Sequence, residues 1–169
     1  MTLAALGLGS NREPRRHLEA GLQALEAHYG KLVLSEVFES EPVGFRGSNF
    51  INLVVTLETS GTLAEMLHFL KGLEERHGRR RDDPRFSDRT LDIDILLFGD
   101  LCGTYEESSE YGEVVLPRPE VTENAYVLRP LAQVLGSRLH VPSGMTYTQL
   151  WEGFDRSRQR LWPAGFSFR

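Results

Sequence analysis

One nine-residue stretch, Thr90-Leu-Asp-Ile-Asp-Ile-Leu-Leu-Phe98, constrains this chain more than any other. Successive side chains of a strand point to opposite faces. Leu91, Ile93 and Ile95 therefore form one apolar row, and Asp92 and Asp94 project together from the other side. One face of the sheet holding this strand must be core. The other must tolerate two neighbouring carboxylates, with Cβ atoms roughly 7 Å apart by strand rise.

The rest of the chain supplies the partners of that strand. Residues 2–8 are short and apolar, bounded by Gly9-Ser10-Asn11, which reads as a strand followed by a strand-to-helix turn. Leu18, Leu22 and Leu25 recur at helical spacing over Pro14 to His28, and Pro14 suits a first turn. Residues 31–39 favour a strand, with Leu32, Leu34 and Val37 facing inward, and Ser40 to Ser48 is turn-rich. In Asn49 to Thr59, Ile51, Leu53, Val55 and Leu57 alternate with Asn52, Val54, Thr56 and Glu58, the pattern of a strand. Thr62 and Glu65 form a capping box that opens a helix with Leu63, Met66, Leu67, Leu70 and Leu73 on one stripe. Gly78 to Asp88 reads as an exposed, mobile loop. Gly99 to Glu113 reads as a loop or edge hairpin, and Thr122 as the cap of a short helix carrying Tyr126 that Pro130 ends or kinks. A last helical pattern with Leu150 and Phe154 begins near Thr146. The order strand, helix, strand, strand, helix, strand is the βαββαβ arrangement. The expected fold is therefore α+β: a ferredoxin-like sandwich, helices on one face of an antiparallel sheet, with extra C-terminal elements. At 169 residues the expectation is one domain, 1–169.

Composition narrows the partners. A net charge of −5 argues against general nucleic-acid binding. No apolar run approaches the length of a membrane helix, and the start of the chain lacks a basic n-region, so a cytoplasmic protein without membrane partners is expected. The single cysteine, Cys102, excludes an internal disulfide framework. Of 19 basic residues only Lys31 and Lys71 are lysine, and Arg76, Arg79, Arg80, Arg81, Arg85 and Arg89 crowd into one segment just ahead of the aspartates.

Two carboxylates held close beside apolar residues are costly without a cation. Mg²⁺ takes one or two carboxylates and completes its shell with water and substrate phosphates. A run of arginines next to such a centre is what phosphoryl transfer uses; alone it reads as a solvated charge run, partly balanced by Asp82, Asp83 and Asp88. Phe50 and Asn52 share a strand face and Tyr126 lies near a helix start, residues able to hold a flat heterocycle or simply to serve core and cap. There is no Walker A sequence, no nucleophile elbow, and no zinc spacing among the histidines.

The combination Arg89-Thr-Leu-Asp92-Ile-Asp94-Ile-Leu-Leu-Phe98 resembles the signature of the 6-hydroxymethyl-7,8-dihydropterin pyrophosphokinases, enzymes of folate biosynthesis. The resemblance runs through Leu6-Gly-Leu-Gly-Ser-Asn11, Glu41-Pro-Val-Gly44, Asn49-Phe-Ile-Asn52, Leu116-Pro117 and Tyr126-Val-Leu-Arg-Pro130 and covers most of residues 3–135. It implies a monomeric transferase that moves pyrophosphate from ATP to the pterin hydroxymethyl group and releases AMP, with two Mg²⁺ ions on Asp92 and Asp94. It implies that Arg79 and Arg89 engage the ATP phosphates and act in catalysis, that Arg81 is a further loop arginine on substrate, and that Glu74 is a nucleotide-site residue. It implies that Asn52 bonds the pterin, that Phe50 and Tyr126 sandwich it, and that Ser40, Glu41 and Val43 offer backbone groups, with Gly44 adjacent. Phe86 stands where the family often has a tryptophan on a mobile lid, expected to close over ATP and pterin.

Four positions depart from the family pattern: Asp88 next to Arg89, Arg118 where a phosphate-contacting histidine is usual, Lys71 for a polar amide, and Asn124 for an arginine. These bear on ATP affinity more than on the reaction. A binding module that has lost catalysis, or another Mg²⁺-dependent phosphoryl or nucleotidyl transferase, would be separated from this reading by AMP release and by pterin competition.

Overall fold

The computed structural model describes residues 1–78, 88–108 and 110–168. Arg79, Arg81 and Phe86, and with them the expected lid, lie outside the described residues. Strand β1 (Thr2–Ser10) leads to helix α1 (Pro14–Tyr29), short strands β2 (Val33–Leu34) and β3 (Phe38–Ser40), the long strand β4 (Phe50–Thr59), helix α2 (Leu63–Arg76) and strand β5 (Asp92–Phe98). After them come the hairpin β6 (Gly103–Ser108) and β7 (Gly112–Leu116), helices α3 (Glu120–Glu123) and α4 (Ala125–Leu135), and the small pair β8 (Leu139–His140) and β9 (Met145–Thr146). Helix α5 (Tyr147–Glu152) and strand β10 (Leu161–Pro163) end the order.

The main sheet runs β10-β3-β4-β1-β5, with β2 also on β4, and each of its pairings is antiparallel. This is the expected ferredoxin-like order. Leu18, Leu22 and Leu25 of α1 and the Leu63-to-Leu73 stripe of α2 are buried against Leu6, Leu8, Leu53, Val55, Ile93 and Ile95. The capping box forms as read, Thr62 N–H donating to Glu65 at 3.0 Å and Glu65 N–H to Thr62 Oγ1 at 3.1 Å.

Three details correct the sequence reading, and a fourth settles an alternative it left open. First, β1 continues through Ser10, so Gly9 is a strand residue and not part of a turn. Second, the 31–39 strand is broken. Val33 and Leu34 face Thr56 and Val55, whereas Phe38 to Ser40 face Asn52 to Phe50, so residues 35–37 lie opposite only Val54 and Leu53. The extra residue is a bulge. Ser35 sustains it: its N–H donates to the Val54 carbonyl and its hydroxyl accepts from Val54 N–H, both at 2.9 Å. The slip turns Val37 into the core beneath α1 and α2, while Phe38, opposite Asn52, is buried on the other face under Arg129 of α4. Third, Asn124, not Thr122, precedes the helix that carries Tyr126, and Pro130 sits within that helix without ending it. Fourth, Gly99 to Glu113 is largely the β6-β7 hairpin, one of the two forms the sequence allowed.

The second face of the sheet is only partly open. Ala5, Val54, Leu96 and Leu97 pack beneath Val121, Val127, Leu128, Leu131 and Tyr147, so α3, α4 and α5 roof one end. The other end of that face forms a cleft.

Candidate functional site

The floor of the cleft follows from strand register. Gly9 lies between Asn52 on β4 and Asp92 on β5, and Gly7 between Val54 and Asp94. Antiparallel partners share a face, so Asn52, Asp92 and Asp94 project to the same side across two glycines. A Cβ on Gly9 would stand 2.8 Å from Asn52 Oδ1. Glycine there keeps the floor low enough for a ligand to lie between the amide and the carboxylates.

The walls come from separate segments. Ser40, Glu41, Val43, Phe45 and Phe50 line one side, Arg118, Glu120, Glu123, Asn124 and Tyr126 another, and Arg89 an end, around a cavity of about 300 Å³. Ser40, Glu41, Val43, Phe50, Asn52, Tyr126, Arg89, Asp92, Asp94 and Arg118, ten of the expected site residues, thus meet in one cleft. Ser40 contributes its side chain: its hydroxyl accepts from Asn52 Nδ2 at 2.9 Å, fixing the amide. Gly44 (φ 85°) turns the chain between Val43 and Phe45, beside the cleft and not in its wall. Glu74 is buried on α2, where Oε2 accepts the Ile93 N–H at 2.8 Å and Oε1 lies 3.6 Å from Lys71 Nζ. It steadies the edge of β5 between the two aspartates and is not part of the cavity wall.

Arg89 is buried, and its backbone is clasped. Its N–H donates to Asn11 Oδ1 at 2.8 Å and its carbonyl accepts from Asn11 N–H at 2.9 Å and from Ser10 Oγ at 3.3 Å. Asn11 Nδ2 also donates to Ser48 O at 3.1 Å and to Asp88 Oδ1 at 2.7 Å. The second oxygen of Asp88 is 3.3 Å from Arg12 Nη2. Asp88, one of the departures, therefore turns its charge onto Asn11 and Arg12. The close approach needs glycine at 47, where a Cβ would be 2.7 Å from Asp88 Oδ1.

Electrostatics single out Asp94. Its carboxyl is pushed up to about 7, first by desolvation and then by the charge of Asp92, against the pull of Arg118. Arg118 Nη2 is 3.4 Å from Asp94 Oδ1, and its Nε donates to Glu120. Desolvation and the two aspartates also push the Tyr126 hydroxyl up to about 12, so it stays a neutral ring, its oxygen accepting from Asn124 Nδ2 at 3.1 Å. An acidic pair in this state suits a hard divalent cation whose remaining ligands come from water and substrate; among the described residues no group of three or more His, Cys, Asp or Glu forms a fuller protein cage.

Residues missed from sequence are Gly7 and Gly9 as floor, Asn11 as clasp, and Phe45, whose ring meets Phe50 edge-on at 6.2 Å. The Gly-x-Gly spacing within a strand was the available signal for the floor. Phe45 carried none, since an aromatic in a turn has no periodicity to place it.

An antiparallel α+β sandwich whose open sheet end joins paired carboxylates, arginines and an aromatic-amide recess has the parts of a phosphoryl-transfer enzyme for a flat substrate. Residues 5–136 match the family model of 7,8-dihydro-6-hydroxymethylpterin-pyrophosphokinase. The chain belongs to that family and is an ATP-dependent diphosphotransferase. It is 34% identical over 160 residues to the 2-amino-4-hydroxy-6-hydroxymethyldihydropteridine pyrophosphokinase of Pseudomonas aeruginosa, covering 89% of this chain and 94% of that one. It is 33% identical over 136 residues to the Bacillus subtilis protein of that name, covering 78% and 77%. A Plasmodium falciparum HPPK-DHPS structure superposes with a TM-score of 0.71 at 16% identity, covering 90% of this chain but 43% of the longer one; this likeness supports the fold alone. No helix among the described residues is long and apolar enough to cross a membrane.

Proposed function

We propose that this cleft transfers the terminal pyrophosphoryl group of ATP to the hydroxymethyl oxygen of 6-hydroxymethyl-7,8-dihydropterin, releasing AMP. The oxygen bonds the β-phosphorus, the bond from β-phosphorus to the bridging oxygen breaks, that oxygen leaves on AMP, and the hydroxyl proton passes to solvent. The observation that carries the reading is the placement of Asp92 and Asp94 across a glycine floor from Asn52, with Phe50 and Tyr126 in the same walls.

Asn52, held by Ser40, reads the polar edge of the pterin, and Phe50 and Tyr126 flank its faces. Glu41 and Val43, with Gly44 turning the chain beside them, present backbone groups to it. Asp92 and Asp94 would hold two Mg²⁺ ions, which when bound supply electrostatic stabilisation of charge on the bridging phosphate oxygens. Arg89, anchored through its backbone, offers its guanidinium from the end of the cleft to the phosphates, and Arg118 does so once phosphate replaces Asp94 as its partner. Glu74 contributes by holding β5. Arg79 and Arg81 are assigned to the same phosphates, and Phe86 to the cover, on resemblance.

The test is incubation with Mg²⁺, ATP and the pterin alcohol, following AMP and pterin pyrophosphate. Turnover is expected for the native chain and loss for Asp92→Ala with its melting transition retained. Tight pterin binding by calorimetry without AMP release at any Mg²⁺ concentration would instead indicate a binding module, with the Arg118–Asp94 contact as the reason.

A further inference from the structure

Behind the wall of the cleft lies a second cavity of about 570 Å³, lined by Arg129, Trp151, Arg156, Gln159, Arg160 and Trp162, together with Leu161. Its size is that of small-molecule sites. It holds three guanidiniums and both tryptophans of the chain. The Arg156 guanidinium lies over the Trp151 ring at 4.7 Å, and that of Arg129 over Phe38 at 4.6 Å and Trp151 at 5.8 Å.

The charge there is largely uncompensated. Among the described residues, neither Arg129 nor Arg156 forms a carboxylate ion pair; Arg160 pairs with Glu41 at 2.7 Å. Asp155, the nearest acid in sequence, is engaged by Ser157, whose N–H and hydroxyl both donate to it. A guanidinium resting on a ring still has N–H donors to give. Three donors beside two indole faces have the recognition chemistry of an aromatic ring bearing an anionic group.

The cavity is also wired to the cleft. Glu41 lines the cleft and is the partner of Arg160. On the other wall, Gln159 Oε1 accepts the Ala125 N–H at 2.8 Å and its Nε2 donates to Asn124 Oδ1 at 2.9 Å, the two residues just before Tyr126. The segment that closes the second cavity thus touches both sides of the first.

We propose that the Arg129–Trp151–Arg156–Arg160–Trp162 cavity binds a small aryl anion, a ring carrying a phosphate or carboxylate, in competition with the Glu41–Arg160 ion pair. The proposal stands whether or not the pterin is the substrate of the cleft. Because both tryptophans line the cavity, their fluorescence reports occupancy. Phenyl phosphate and benzoate are the probes, with inorganic phosphate and phenol as single-feature controls. Saturable quenching is expected with both probes, at least tenfold tighter than with either control. Arg156→Ala, at an exposed residue outside the cleft, is expected to weaken it about tenfold while AMP release by the native assay is unchanged. Glu41→Gln is expected to tighten it, since Arg160 loses its competitor. Absence of saturable quenching, equal quenching by the controls, or an unchanged titration in Arg156→Ala would overturn the proposal.

Discussion

Replacing Asp94 by asparagine should make the metal-free protein more stable while removing its activity. The carboxyl of Asp94 titrates near 7 in the folded chain against an ordinary value of 3.8. At roughly 1.4 kcal/mol per pKa unit, a shift of about three units corresponds to a gross penalty of about 4 kcal/mol above neutrality. The side chain is 39% exposed to the cleft and has Arg118 at 3.4 Å. Solvent screening and the loss of that partner reduce the expected net gain to about 1–2 kcal/mol. For a chain of this length that is a rise of about 2–8 °C in Tm. The sign can be followed with pH. A carboxyl whose folded pKa is raised is protonated in both states below about pH 4, so no penalty exists there. The penalty grows as the unfolded chain ionises and the folded one does not, and it is complete above pH 7. The gain for Asp94→Asn should therefore be negligible at pH 4, grow through pH 5 and 6, and level off above 7. Thermal melts in EDTA across that range measure it. Adding Mg²⁺ should then raise the Tm of the native chain and leave the variant unmoved. A variant less stable than the native chain at pH 8, or a difference that does not change with pH, would refute the reasoning.

Other consequences follow from the same geometry. Gly9→Ala places a methyl 2.8 Å from Asn52 Oδ1; KM for the pterin should rise by an order of magnitude or more, with a smaller change in KM for ATP, in steady-state assays. Asn11→Ala removes the amide that accepts Arg89 N–H and donates to Asp88 and Ser48; a loss of about 1–3 kcal/mol in stability and a fall in kcat are expected by denaturant titration and turnover. Tyr147→Phe removes a buried hydroxyl that has no hydrogen-bond partner among the described residues; it should stabilise the chain by about 1 kcal/mol with unchanged kcat, and a destabilised variant would show that the hydroxyl is satisfied in solution.

Much of this protein was legible along the chain because the governing signals are local. Alternation in 49–59 and 90–98, the leucine stripes of α1 and α2 and the Thr62–Glu65 box each express a backbone period or a cap within a few residues. The same periods put Asp92 beside Asp94 and Phe50 on the face of Asn52. The bulge at Ser35 left no such mark, because it is defined only by what stands opposite, Val54.

The sequence by itself determined which side chains share a strand face, which helix stripes seek a core, and that an acidic pair follows an arginine segment. These are properties of one chain segment and its own dihedral repeat. Only the tertiary structure decided that Gly7 and Gly9 are the floor between Asn52 and the aspartates, since that depends on the register of three strands far apart in sequence. It likewise decided that Asp88 neutralises Arg12 and not Arg89, and that Arg118, from beyond β7, rests on Asp94. Such contacts are set by which surfaces the packed sheet and helices bring within a few ångströms, and charge pairing at that range obeys distance in space and not order along the chain.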